Sequence, residues 1–387
     1  MKIKDVKASY VEIPLPDPGI RRAMHFKTVS KKVNFILTKL VTDEDIVGIG
    51  AQSVSLGNWS IYYIKYIEEV LKPFLLDEIV EPYYIEKFAR HFRFSAPSSM
   101  SPRPCCLEMA MWDAVGKKAG LPVYKLLGAY QDRVLAYASV SELYPLWGPQ
   151  DWSRFIESLA KEGFKGVKLH IGWLWKDPQK VIEVIKAIRE NVGYGLKIMV
   201  DAMQAWLPEP NYTFESALKY ARGLERYECL WLEEPLPYLI NPDLSAKLCN
   251  AVDIPIAGGG SVFGLPAFKS LLEKSALDIV QPDVQFAGGI SEVKKIAELA
   301  ETYGKKCVPH FNGIGIPLAA TLQVLGSTNI PWVEYPYHPP VWTAEVRDSM
   351  LKEPINIDKD GYVKIPSGPG LGVELDEKIV SKYSVYS

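Results

Sequence analysis

Leu230-Trp231-Leu232-Glu233-Glu234-Pro235 is the stretch whose reading decides the fold of this chain. Three apolar residues have the character of a buried strand end, and two carboxylates follow. Pro235 stops regular pairing and keeps Glu234 extended. Neighbours on a strand point to opposite faces, so only one of the two glutamates can look into a given site. A carboxylate at a buried strand end is costly unless it is paired or bound to a cation. On this run alone two readings stand: a chemical site, or a helix N-cap or surface turn.

The flanking rhythm favours the first. From Val134 strand-like runs alternate with amphipathic ones. The strands are Val134–Val140, Gly166–Ile171, Leu196–Asp201, Cys229–Glu233, Ile254–Gly259, Leu277–Asp283, Lys306–His310 and Trp332–Glu334. Between them lie Trp152–Lys161, Pro178–Asn191, Phe214–Tyr227, Pro242–Ala251, Leu265–Lys274, Ile290–Tyr303 and Ile316–Leu325, read as helices. Eight strands at roughly 25-residue spacing predict parallel pairing and a closed (β/α)₈ TIM-type barrel, an α/β fold, over residues 131–338. An open doubly wound sheet is the competitor, but no GxGxxG follows the first strand.

Residues 1–130 read as a small α+β unit. Lys2–Ile13, Val33–Val41 and Ile46–Ile49 are strands, with a loop through His25 after the first. Ile61–Leu75, Ile85–Phe94 and Cys106–Ala119 are helices, and Ser95–Pro104 is a linker. Residues 339–387, with a turn at Asp358-Lys359-Asp360-Gly361, read as a return to this first unit.

Of 387 residues 48% are apolar, enough for a large core, and the net charge of -2 offers no basic surface for nucleic acid or anionic membrane. Cys105, Cys106, Cys229, Cys249 and Cys307 show no CxxC spacing, which predicts reduced thiols in a cytosolic protein. Met1-Lys2-Ile3-Lys4-Asp5 lacks the apolar core of a signal peptide. No apolar run reaches the ~18–20 residues of a membrane span.

In barrels of this kind the working residues stand at strand C-terminal ends. The second predicted strand ends with Lys168 and His170, on one face. Asp201 ends the third, Glu233 the fourth, Gly258-Gly259-Gly260 the fifth, Asp283 the sixth, His310 the seventh and Glu334 the eighth. Singly, a strand-end carboxylate reads as a cap and a histidine as a satisfied core residue. Together they describe a site. Asp201 and Glu233 offer hard oxygen ligands suited to Mg²⁺. Asp283 and His310 suit a dyad in which the carboxylate orients the imidazole. Lys168 and His170 face the metal pair from one side. Bases on opposite sides of a metal-bound carboxylate suit removal of its α-proton, with the metal and Glu334 stabilising the enediolate.

These residues carry a resemblance. Gly163-Phe164-Lys165-Gly166-Val167-Lys168-Leu169-His170, Val200-Asp201, Trp231-Leu232-Glu233-Glu234-Pro235, Ile254-Pro255-Ile256-Ala257-Gly258-Gly259, Gln281-Pro282-Asp283 and His310 stand in the order of the enolase superfamily, mandelate racemase/muconate lactonizing enzyme group. Ala110-Met111-Trp112-Asp113 with Gly120 to Gly128 resembles its cap-to-barrel junction, and Pro369-Gly370-Leu371-Gly372-Val373 its C-terminal signature. The resemblance implies a capping domain built from both termini and Mg²⁺-assisted α-proton abstraction from a carboxylic acid. The Asp283–His310 dyad resembles the mandelate racemase subgroup, rich in acid-sugar dehydratases. It places Lys168 beside the substrate carboxylate and His170 at the second lysine of a KxK pair. A homo-oligomer with a small-molecule carboxylate substrate is the expected assembly.

Two positions depart from the pattern. Gly260 stands where the third metal carboxylate is expected, and Met203 stands where an asparagine is usual. The expected activity is dehydration of an aldonate or aldarate to a 2-keto-3-deoxy acid. Racemisation or epimerisation, a non-catalytic carboxylate binder, and a Lys168 Schiff-base aldolase are the alternatives. Trp173, Trp175, Tyr335 and Tyr337 are candidate surroundings for a hydroxylated substrate, and the Ile20–Thr28 loop and the region of Gly50 are candidates for setting specificity.

Overall fold

The computed structural model describes residues 1–16, 32–53, 59–95, 103–140, 147–171, 177–207 and 212–386. Ile20–Thr28, Trp173 and Trp175 lie outside them, as does most of the Ser95–Pro104 linker.

The alternation from Val134 folds as eight parallel strands. They are β4 (Arg133–Val140), β5 (Gly166–Leu169), β6 (Lys197–Asp201), β7 (Trp231–Glu233), β8 (Ile256–Gly258), β9 (Ile279–Val280), β10 (Lys306–Cys307) and β11 (Trp332–Pro336). They pair in the order β10-β9-β8-β7-β6-β5-β4-β11, the ring of an α/β TIM-type barrel. Side-chain chemistry starts the helices between them. Asp177, Thr213 and Asn241 each accept a backbone N–H at the start of Pro178–Val192, Phe214–Glu225 and Pro242–Cys249. Gly315–Gly326 is buried along its whole length, as a helix apolar on every side must be.

Two expectations change in detail. No ladder joins β10 to β11 among the described residues. The backbone N–H of Phe311 instead donates to the Glu334 carboxylate at 3.1 Å, so a side chain takes the place of a strand partner. The sixth strand is only two residues long: Gln281 N still donates to Gly258 O at 2.8 Å, but Pro282 has no N–H to carry the ladder further.

Ahead of the barrel stands an antiparallel sheet of β1 (Ile3–Pro14), β2 (Lys32–Thr42) and β3 (Val47–Ser53). Near the C-terminus β12 (Tyr362–Lys364) pairs with barrel strand β4, and β13 (Ser384–Tyr386) pairs with β1. The tail therefore adds to both sheets. The predicted helix over 61–75 contains a π-helical stretch, Tyr66–Leu71.

Helix Cys105–Ala119 fastens the first sheet to the barrel. Its Glu108 accepts from the N–H groups of Ile290 (2.8 Å) and Ser291 (2.9 Å), at the start of Ile290–Thr302. A carboxylate there meets unpaired donors and the positive end of the helix dipole. Burial still pushes Glu108 up to about 7, against those hydrogen bonds. Asp113 of the same helix accepts from Ile49 and Leu371 (2.8 Å each), tying β3 and the tail to one carboxylate.

Candidate active site

Inward-pointing residues fill the barrel in layers. The lower one holds Tyr137, Met199, Trp231, Ala257, Ile279 and Val308, an apolar floor with Tyr137 and Trp231 edge to face at 5.5 Å. Directly above lie the strand-end groups. Register sets their neighbours: Ser139 pairs with Lys168, Asp201 with Glu233, and Tyr137 with Glu334. The floor excludes water from below, which makes every charge above it expensive.

Lys168 is fully buried, its ammonium 2.7 Å from Glu233 Oε1 and 2.8 Å from Glu334 Oε1. Burial opposes its charge, but Glu233 and Glu334 hold it above the ordinary lysine range. Glu233 Oε2 accepts from Gln281 Nε2 (2.8 Å) and Trp231 Nε1 (3.1 Å). Glu334 is also fully buried, and it accepts from Ser139 Oγ (2.6 Å) and Tyr137 OH (3.1 Å). Burial alone would raise Glu334; Lys168, then His310, hold it well below the usual carboxylate range.

Asp201 Oδ1 accepts the Met203 N–H at 2.7 Å, with Met203 in a left-handed conformation at φ 57°. Its other oxygen lies 3.5 Å from His170 Nδ1. Burial and then the charge of Glu233 push Asp201 well above its ordinary value. Glu234, expected to stay extended before Pro235, instead turns away from the strand at φ 50°; its Oε1 accepts from Tyr238 OH at 2.8 Å, and its buried Oε2 has no partner among the described residues. Burial and the charge of Glu233 push it to about 7.

His170 Nε2 lies 2.9 Å from Ser139 Oγ. The hydroxyl has one hydrogen, and the ionised Glu334 takes it at 2.6 Å. His170 Nε2 must therefore be the donor to Ser139, which leaves Nδ1 bare in the neutral ring, facing Asp201. Burial lowers the His170 pKa and favours that neutral form.

Across the mouth, His310 Nδ1 meets Asp283 Oδ2 at 2.8 Å. Burial works against the imidazolium, but the charge of Glu334 and the Asp283 hydrogen bond overcome it, raising His310 to about 9. A Cβ at Gly260 would lie 3.0 Å from His310 Cγ and 3.1 Å from Cδ2. The ring thus fills the space a side chain on the fifth strand end would enter.

All seven predicted strand-end groups lie in this one polar layer. Asp201 and Glu233, side by side in register, are the pair able to hold a hard cation. No cluster of three or more His, Cys, Asp or Glu is arranged for a metal among the described residues. Tyr335 and Tyr337 are not free for a substrate: their hydroxyls donate to Ile355 O and to Glu162 (2.7 Å each). Sequence reasoning passed over Tyr137, Ser139, Gln281 and Gln285. The alternation of Tyr137 and Ser139 on β4 would have pointed both inward, and Gln281 lies within the Gln281-Pro282-Asp283 motif already noted.

An eight-stranded barrel with ionisable side chains at its strand ends and an α+β unit packed on it defines a class of enzyme scaffold. Residues 151–379 match the enolase C-terminal domain-like family, and residues 10–128 match the mandelate racemase/muconate lactonizing enzyme N-terminal domain. The chain belongs to this family of the enolase superfamily. It is 35% identical over 363 residues to an arabinonate dehydratase of Saccharolobus solfataricus, covering 92% of each chain. It is 28% identical over 408 residues to a D-xylonate dehydratase of Haloferax volcanii, covering 99% of this chain and 94% of the other. Among solved structures it is similar to D-glucarate dehydratase from Agrobacterium tumefaciens complexed with magnesium. That match has a TM-score of 0.84 at 29% identity, over 100% of this chain and 99% of the other. Relatives of this chain thus include dehydratases, which are lyases, alongside a D-galactarolactone cycloisomerase and an L-Ala-D/L-Glu epimerase. No described helix is long and apolar enough to cross a membrane.

Proposed function

We propose that the chain is an acid-sugar dehydratase that converts an aldonate or aldarate to a 2-keto-3-deoxy acid. The observation that carries the reading is the pair of imidazoles set on opposite sides of the Asp201–Glu233 carboxylates, with His170 Nδ1 facing Asp201 and His310 Nδ1 held at 2.8 Å by Asp283, whose hydrogen bond and the Glu334 charge raise the ring to about 9. Two groups prepared for opposite proton transfers are the mark of an acid and a base. His170 Nδ1 takes the proton α to the substrate carboxylate. His310 gives its proton to the departing β-hydroxyl, which leaves as water, and the enol product becomes the keto acid. Asp283 holds the imidazolium in place. Lys168, pinned between Glu233 and Glu334, is the nearest fixed positive charge for the substrate carboxylate. The named dehydratase relatives support this reaction class.

The residues fit Mg²⁺. Two buried carboxylates stand in register, and among the described residues the neighbouring buried Glu234 Oε2 has no partner. Mg²⁺ is content with one or two carboxylates, water and substrate oxygens. Asp201 and Glu233 would hold it, with Gly260 leaving the third position to water or substrate. When bound it supplies the positive charge that an enediolate requires.

The test is incubation with a panel of aldonates and aldarates in D₂O, with Mg²⁺ or with chelator. Keto-acid formation with Mg²⁺ is the expected result. Deuterium uptake or inversion without keto acid would favour a racemase, for which opposed imidazoles serve equally well. Neither, across the panel, sinks both.

A further inference from the structure

The dyad does not end at Asp283. Asp283 Oδ1 accepts two hydrogen bonds from Gln285: one from its backbone N–H at 2.7 Å and one from its side-chain Nε2 at 3.3 Å. The other end of that amide, Oε1, accepts from Ser53 N at 2.9 Å and Ser53 Oγ at 2.8 Å. Ser53 is the last residue of β3, in the N-terminal sheet. A backbone N–H can only donate, so it fixes which end of the amide is oxygen and turns Nε2 toward Asp283. Nε2 also reaches Asn312 O at 3.3 Å, beyond His310 on the chain. Gln285 is fully buried. A Cβ at Gly313 would come within 3.1 Å of both amide heteroatoms, so the glycine leaves the slot in which the amide lies.

We propose that Gln285 is a positioning residue that makes the Asp283–His310 pair depend on the docking of β3 through Ser53. With the sheet docked, one oxygen of Asp283 is held by Gln285, and the other is left to His310 Nδ1. With Ser53 withdrawn, the amide oxygen loses both donors and has no reason to keep Nε2 on Asp283. The histidine's orientation then rests on the Gln285 backbone N–H alone. The alignment of His310 is thereby linked to the seating of β3 on the barrel, so the N-terminal sheet and the dyad act as one unit. The catalytic meaning of this link rests on His310 as the proton carrier, but the link itself does not.

The test reads His310 directly. The chain has five histidines, so the Nδ1 proton of His310 can be assigned in ¹⁵N-histidine protein by its absence in His310→Gln. Gln285→Met keeps the bulk and removes both amide contacts. It should broaden or shift that proton and speed its exchange with solvent on the order of tenfold, the low end of what losing a histidine's outer partner costs in affinity or activity. Ser53→Ala, which keeps the backbone donor, should change it less and in the same direction. The double variant should go no further than Gln285→Met. An unchanged His310 proton in Gln285→Met, with only a lower Tm, would make Gln285 mere interface packing and overturn the proposal. Should Gln285→Met not fold, Ser53→Ala decides alone, and an unchanged proton there overturns it. Because no substrate is involved, a wild-type chain inert toward every sugar acid would end the dehydratase reading and leave this result standing.

Discussion

The two sides of the barrel mouth are built on different principles. On the β5–β7 and β11 side, Lys168, Asp201, Glu233 and Glu334 are buried; Lys168, Glu233 and Glu334 are held by several partners each, and Asp201 by the Met203 N–H. On the β8–β10 side, a single dyad, Asp283–His310, rests over a bare Gly260 and is tied to the N-terminal sheet through Gln285. The first side is stiff because moving any charge unpairs another in a water-poor layer. The second is tied more lightly: its ring meets one carboxylate, which Gln285 braces against the N-terminal sheet. A stiff charged side suits binding a carboxylate and a cation; a ring on a single carboxylate suits moving a proton.

Three substitutions separate the sides. Glu233→Gln strikes the stiff one and should have the largest effect. It weakens the hold on Lys168, leaves Asp201 as the lone carboxylate of the metal pair, and should cut α-proton exchange by about a thousandfold or more. Calorimetric Mg²⁺ titration checks the cause: binding that survives this change breaks the metal assignment.

His310→Asn removes the proton carrier and should cost about 10²–10⁴ in keto-acid formation while Mg²⁺ binding persists. The pH dependence follows from the raised value. His310 keeps its proton until about pH 9, so wild-type dehydration should fall above that pH. The charged ring's contribution to stability is complete below about 6.5, the ordinary histidine value, and is lost as pH rises through 9. Both trends should vanish in the variant, read by pH–rate profiles and by Tm against pH. A wild-type profile flat through pH 10 refutes the assignment of His310 as the acid.

Gly260→Glu has the smallest expected effect and joins the two sides. A third carboxylate should tighten Mg²⁺ on the order of tenfold. Its Cβ must displace the His310 ring, so keto-acid formation should drop even as the metal binds better. No change in Mg²⁺ affinity would show that Gly260 is not the missing ligand position.

How much of this was legible depends on the range of the interaction. Alternation of apolar runs marked each strand, and parallel strands in a ring bring all their C-terminal ends to one face; listing those ends therefore found Lys168, Asp201, Glu233 and His310. β9 is shorter than the predicted Leu277–Asp283 because Pro282 cannot donate to the ladder, although Gln281 N still reaches Gly258 O. Tyr335 and Tyr337 looked available because a sequence does not show that Ile355 and Glu162 accept their hydroxyls.

By itself, then, the sequence determined the barrel, the polar strand ends and the bare position at Gly260, since these follow from local periodicity and residue type. Tertiary structure alone decided which charge answers which. Lys168 between Glu233 and Glu334, Glu234 turned aside at φ 50°, His170 with a bare Nδ1, and Gln285 reaching Ser53 all depend on register between distant segments. The Glu233-Glu234 pair shows the physical reason. Chemically the two are the same residue, and they differ here in which neighbours the fold brings to their oxygens.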